Sequence, residues 1–212
     1  MKNRIIIATS NEGKMKEVRM ILDDLGMEIL SMKEVGICAE IVENGTTFEE
    51  NAYIKAAAVQ QAWRDMSEER APFGDIVLAD DSGLEVDFLG GAPGIYSARY
   101  MGEETSYEVK NQAIIDKLSG VRGEARSARF VCAIAAVLPS GEKLTARGTI
   151  EGQIGYEAAG DGGFGYDPIF YLPKRGLTTA QLTAEEKNEI SHRGRALRAM
   201  KEILRKKLGD KP

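Results

Sequence analysis

Two adjacent carboxylates, Asp80 and Asp81, follow an apolar run in "DIVLADDSG". Two neighbouring ionised carboxyls repel when buried, and one cation between or beside them relieves that repulsion. Mg²⁺ suits such a place, because it takes one or two protein carboxylates and completes its shell with water and phosphate oxygens. Glu43, in "IVENGTTF", lies just before a predicted helix and is the candidate second carboxylate. Asp81 is the candidate both for metal contact and for general base, drawing the proton from a water. The plainer alternative for "ADDSG" is an Asx-turn in a surface loop. Its place after an apolar strand favours a ligand, since open α/β sheets bind at the carboxyl ends of their strands.

A second set of groups stands in "IIIATSNEGK", where Thr9, Ser10, Asn11, Glu12, Gly13 and Lys14 lead from a strand into a helix. The first turn of a helix offers free N–H groups and a positive dipole end, which together attract an anion. This is not a P-loop, which needs G-x-x-x-x-G-K-[ST]. Ser10 or Asn11 as a simple helix cap is the competing reading. In "GDGGFGYDP" glycines surround Phe164 and Tyr166, with Gly165 between them and Asp167 beyond. Glycine allows close backbone approach, and a ring there can stack on a flat ligand; a tight turn with a core Phe is the alternative. "EEKNEISHRGRA" brings Lys187, the sole histidine His192, and Arg193 around a break in a helical pattern. Exposed helix charges are the alternative reading for Lys187 and Arg193.

These groups need elements to hold them. Arg4 to Ala8 reads as a strand, and Lys14 to Leu25 as a helix ended by Gly26. Thr47 with Glu50, Thr105 with Glu108, and Thr183 with Glu186 each have capping-box spacing ahead of a helix. "DIVLAD" reads as a buried strand, and "LEVDFL" as a separate alternating one. "ARFVCAIAAVLPSGEKLTARGTIEGQI" reads as two long strands around Pro139-Ser140-Gly141-Glu142. The last helix carries Leu197, Met200, Ile203 and Leu204 on one side, with Arg205, Lys206 and Lys207 suiting its C-terminal dipole. "RDMSEERAPFGD" reads as a surface connection. The alternation of strands and helices, followed by a late strand pair, predicts an α/β protein with a mixed sheet.

The 212 residues are 43% hydrophobic and 29% charged, with formal net charge −5, the mix of a globular protein with a real core. The acidic balance disfavours nucleic acid and anionic membrane surfaces as partners. The absence of a secretory h-region and of an apolar run long enough to span a bilayer makes a reducing cytoplasm the expected setting. Cys38 and Cys132 are too few for a disulfide framework and, in apolar company, are expected to be buried thiols.

Taken in order, "ATSNEGK", "TFEENAYIKA", "ADDSGLEVDFLGGAPGIYSARY", "GGFGYDPIF" and "LTAEEKNEISHRGRAL" resemble the inosine triphosphate pyrophosphatase family, also called dITP/XTP pyrophosphatases. The resemblance runs from about Arg4 to Leu204. It implies an elongated mixed β-sheet flanked by helices, with two lobes and a central active-site cleft, as one nucleoside-triphosphate pyrophosphatase domain over 1–212 without a linker. It implies Mg²⁺-dependent hydrolysis of deaminated purine nucleoside triphosphates (ITP, dITP, XTP) to the monophosphate and pyrophosphate, and a homodimer. By the same resemblance Thr9 to Lys14 hold the triphosphate, with Lys55 reaching the phosphates. Asp81 is catalytic and shares the metal with Glu43, and Ser82 contacts substrate. Phe164, Gly165, Tyr166, Asp167, Lys187, His192 and Arg193 serve the base. Ser10 stands where many relatives carry Gly or Thr. The rival readings are a nucleotide-sensing module, a Maf-like pyrophosphatase acting on modified pyrimidines, and, against the charge balance, an RNA-binding protein.

Overall fold

The computed structural model describes residues 4–66 and 74–209. The strands are β1 (Arg4–Ile7), β2 (Glu28–Ser31), β3 (Ile76–Val86), β4 (Ser127–Val137), β5 (Lys143–Ile154), β6 (Phe170–Leu172) and β7 (Leu177–Thr178). The α-helices are α1 (Glu12–Leu22), α2 (Phe48–Met66), α3 (Tyr107–Lys117), α4 (Ala184–Ile190) and α5 (His192–Leu208). The strands form one mixed sheet in the order β2-β1-β3-β4-β5-β6-β7. β1 runs parallel to β2 and β3, whereas β6 runs antiparallel to β5 and β7. The fold is thus α/β with a mixed sheet, as the element pattern predicts.

The chain divides into two compact units. One comprises Met1–Asp81, Cys132–Gly148 and Arg193–Pro212; the other comprises Ser82–Val131 and Thr149–His192. In the first unit the sheet is covered on both faces. Ile5, Ile7, Ile76, Leu78, Cys132 and Ile134 pack with Met15, Val18 and Leu22 of α1 and with Ala196, Leu197, Met200 and Leu204 of α5. The intervening residues Ile6, Val77, Ala79, Ala135 and Val137 pack with Ala52, Ala56 and Val59 of α2. The period-2 alternation of a strand explains this split: successive side chains enter opposite layers, so strands buried on both faces read as continuous apolar runs. The second unit gathers Leu84, Val86, Phe130, Ile150, Ile154 and Phe170 with Ile114 and Leu118, which lie in and just after α3.

Several local expectations change. "DIVLAD" and "LEVDFL" are not separate strands, because β3 runs unbroken from Ile76 to Val86, and Asp87–Leu89 turn into a 3₁₀ segment. The "ADDSG" stretch therefore lies inside a strand and is not a turn. α3 is capped by Ser106, whose Oγ accepts from Val109 N, while Thr105 Oγ1 donates to Met101 O. At α2 only half of the expected box forms: Thr47 Oγ1 accepts from Glu50 N, but the Glu50 carboxylate accepts from Thr46. The Thr183–Glu186 box is complete. Cys132 is buried but Cys38 is exposed. Cys38 sits in a stretch without helix or strand, where neighbours in sequence need not share burial. Residues 67–73 of the expected surface connection lie outside the described residues.

Candidate active site

The strand parity that builds the core also sorts the two aspartates. Asp80 follows Ile76 and Leu78 in register and meets α1 and α5; Asp81 follows Val77 and Ala79 and meets α2. Asp80 Oδ2 lies 3.1 Å from Lys14 Nζ and 3.2 Å from Arg193 Nε, and Arg193 also pairs with Glu17. Asp81 Oδ1 accepts from Lys55 Nζ at 3.1 Å, and its Oδ2 accepts from Asn51 Nδ2 at 3.3 Å. Lys55 Nζ is also 3.2 Å from Glu43 Oε2. The adjacent carboxylates therefore pair with cations from different layers, and the Lys55 charge acts on Asp80 as well.

The electrostatics follow from those neighbours. Burial opposes ionisation of Asp80, but Lys14, Arg193 and Lys55 outweigh it and hold the carboxyl far below the usual carboxylate range. Burial pushes the Asp81 carboxyl up; Lys55 offsets part of this, and the Glu43 charge adds to the rise. Burial alone would lower the Lys55 ammonium, yet Asp81, Asp80 and Glu43 raise it. The Arg193 guanidinium is likewise raised: burial works against the charge, and Asp80 and Glu17 outweigh burial. A buried carboxyl raised above its ordinary value is a better proton acceptor than a free one.

The strand-to-helix loop lies nearby. Asn11 caps α1, its side chain accepting from Lys14 N at 3.0 Å, and Thr9 Oγ1 accepts from Asn11 N at 3.2 Å. Capping thus occupies the Asn11 oxygen, while Ser10, Glu12 and Gly13 are exposed at the first turn. A cavity of about 700 Å³ is bordered by Thr9, Ser10, Lys14, Lys33, Glu43, Lys55 and Asp80, with Ile37, Cys38 and Ile41 in its apolar wall. Hydroxyls, ammonium groups and a helix N-terminus around one hollow are groups that suit an anion, and the carboxylates of Glu40, Glu43 and Asp80 border the same hollow.

Glu43 and Asp81 offer hard carboxylate oxygens that already share one cation, the Lys55 ammonium. That donor set fits Mg²⁺, which needs few protein ligands when phosphate and water supply the rest. Among the described residues no three His, Cys, Asp or Glu side chains cluster as a ready metal cage. The charge inventory points the same way. Lys14, Lys55 and Arg193 are each held by carboxylates, so a polyphosphate entering here needs additional positive charge.

In the second unit, Asp167 organises its own loop. Its Oδ2 accepts from Lys187 Nζ at 2.6 Å and from Phe164 N at 2.8 Å, and its Oδ1 accepts from Thr179 Oγ1 at 2.7 Å. A Cβ at Gly163, where φ is +73°, would collide with the Asp167 carboxylate. Lys187 Nζ stands 4.8 Å from the Phe164 ring centroid, and that ring is exposed. Tyr166 is buried; its hydroxyl donates to Ser97 O and its ring meets Tyr107 edge-on. Gly165 O accepts from Asn111 Nδ2. His192 is buried and stacks on Phe130 at 4.8 Å. Ser82 is half-buried in β3.

The structure thus brings Lys14, Glu43, Lys55 and Asp81 together with the Thr9–Gly13 loop in one unit. Phe164, Gly165, Tyr166, Asp167, Lys187 and His192 lie in the other. Arg193 belongs with the acidic strand. Asn51 escaped the sequence reading, although its position four residues before Lys55 on one helical face was a usable signal.

A two-sided α/β sheet with an acidic strand beside a polar first loop is the frame of a known class. The Ham1 family model matches residues 5–203, and the chain belongs to that family. It is 47% identical over 207 residues to the dITP/XTP pyrophosphatase of Exiguobacterium sibiricum, covering 98% of this chain and 100% of the relative. It is 46% identical to the Bacillus subtilis protein of the same name, over 94% of this chain and 96% of that one. Among solved structures, the Staphylococcus aureus Ham1 protein superposes with a TM-score of 0.83 at 40% identity, over 97% of this chain and 100% of that chain.

Proposed function

We propose that this protein hydrolyses deaminated purine nucleoside triphosphates (ITP, dITP and XTP) to the monophosphate and pyrophosphate. The observation that carries the reading is the Asp81 carboxylate, raised by burial and held between Lys55 and Asn51 in the unit that holds the anion loop. Family membership and the names of the relatives support the substrate class.

The triphosphate is bound by the N-terminal turn of α1, the Thr9 and Ser10 hydroxyls, and Lys14. Glu43 and Asp81 would hold Mg²⁺, which when bound supplies charge neutralisation on the phosphate oxygens. Asp81 accepts the proton of a water that attacks the α-phosphorus. Pyrophosphate departs, and Lys14 and Lys55 stabilise its charge. Positioning and electrostatics provide most of the rate, with no covalent intermediate. Phe164 stacks on the base. Lys187 donates toward the oxygen at C6, which hypoxanthine and xanthine carry and adenine replaces with a donor. A donor left unpaired by adenine penalises ATP.

A homodimer belongs to the same proposal. Phe88, Tyr96, Met101, Tyr107 and Val109 are large apolar side chains exposed between positions 88 and 109, and they are the contact residues proposed for it. Sedimentation equilibrium reads the dimer directly. The activity is tested by pyrophosphate release from ITP, XTP, dITP, ATP and GTP with Mg²⁺ present. Fast release from the first three and slow release from ATP is the expected result, while GTP, which shares the C6 oxygen, reads whether the 2-amino group is rejected; no release from any of them overturns the reading.

A further inference from the structure

We propose that Asn51 is a positioning residue for Asp81. The proposal rests on the reading of Asp81 as the group that activates water. Asn51 is completely buried, where an unsatisfied amide is costly. Both ends of its amide are used. Nδ2 donates to Asp81 Oδ2 at 3.3 Å, and Oδ1 accepts from Gly45 N at 2.9 Å. Lys55, one helical turn further along α2, holds the other Asp81 oxygen. One helix face therefore fixes both carboxylate oxygens and leaves Asp81 one orientation.

The second bond extends the control. Gly45 is two residues beyond Glu43, so the same amide ties the Glu43 segment to Asp81. The fit at Gly45 is closed: an added Cβ would lie 2.7 Å from Asn51 Oδ1 and 2.8 Å from Glu50 Cβ. A helix that holds the loop with one side of an amide and the carboxylate with the other sets the spacing between Glu43 and Asp81. The Asn51 side chain bonds Asp81 and Gly45, so its action on the reaction goes through the Asp81 carboxylate and the Glu43 segment.

Two variants test this. Asn51→Leu keeps roughly the same bulk and removes both amide bonds without adding a charge beside Asp81; Asn51→Ser shortens the side chain and breaks both bonds. In each, kcat per folded site should fall about 10–100-fold, as for other outer supports of catalytic groups, with KM for ITP nearly unchanged. Thermal melts fix the folded fraction, and crystal structures of the variants should show Asp81 turned from its wild-type orientation. A purely structural role would lower melting temperature while leaving kcat per folded site intact. A fully active Asn51→Leu protein with Asp81 unmoved overturns the proposal. Wild-type protein that cleaves no triphosphate refutes the underlying reading instead, and the orientation of Asp81 in the variant crystals still decides the role of Asn51.

Discussion

Lys14 Nζ lies 3.1 Å from Asp80 Oδ2, so the lysine of the anion loop is anchored to a buried carboxylate in the neighbouring strand. Asp80 thereby holds Lys14 on one side and Arg193 on the other, and in the proposed function it supports the phosphate-binding lysine. Burying three such charges is tolerable only while all are present. Asp80→Asn leaves Lys14 and Arg193 without their shared counter-charge, and breaking a buried pair in this way costs about 3–5 kcal/mol. Urea unfolding should show that loss; a variant as stable as the wild type would place the pair at little net value.

Phe164 is an exposed ring whose backbone N–H and neighbouring lysine are both held by Asp167. A stacking ring that binds ground state and transition state alike contributes to KM and not to kcat. Phe164→Ala should therefore raise KM for ITP with kcat nearly preserved, by an amount matching roughly 1–3 kcal/mol of stacking. Steady-state kinetics decide it, and an unchanged KM removes the ring from the base site.

The two thiols should behave oppositely. Cys38 is exposed in the wall of the anion cavity, so a thiol reagent should label it in the native protein, and ITP should slow that labelling. Labelling at the same rate with saturating ITP would place the nucleotide elsewhere. Cys132 is buried in the sheet and should react only on unfolding.

Burial pushes the Cys132 thiol up to about 12, with the Asp80 charge adding to the rise. In the unfolded chain the thiol loses its proton near its ordinary value of about 8.5. The folded state therefore holds the extra proton between those values. Its stabilising contribution is complete below the lower value and is lost as pH rises toward the upper one, at about 1.4 kcal/mol per pH unit. Stability measured from pH 8 to pH 11 should fall less steeply in Cys132→Ala than in the wild type; parallel curves would contradict the assignment.

Much of this was legible in the sequence because it rests on local rules. The strand expected over Arg4 to Ala8 is β1, Arg4–Ile7, and the Thr183–Glu186 box is complete; the break expected across Ser191-His192-Arg193-Gly194 narrows to Ser191, because α5 already begins at His192. The short strands β2, β6 and β7 were missed, since two to four residues carry little periodic signal and gain their place from pairing with longer neighbours. The acidic stretch read as a turn because Asp is depleted in strands. Ion pairs from Lys14, Arg193 and Lys55 overrode that preference, and those partners are distant in sequence. Composition identified Phe164 and Tyr166 as similar aromatics, yet burial separates them: one ring is exposed and the other is locked to Ser97 and Tyr107.

The central claim is that Asp81 is the chemical centre of a triphosphate hydrolase, and pyrophosphate release from ITP by wild type and Asp81→Asn, each with Mg²⁺, tests it most directly. The account predicts rapid release by the wild type and, from a variant that still folds and still binds nucleotide, a rate lower by about 10²-fold or more, the scale set by loss of a general base. Turnover by Asp81→Asn close to that of the wild type would contradict it.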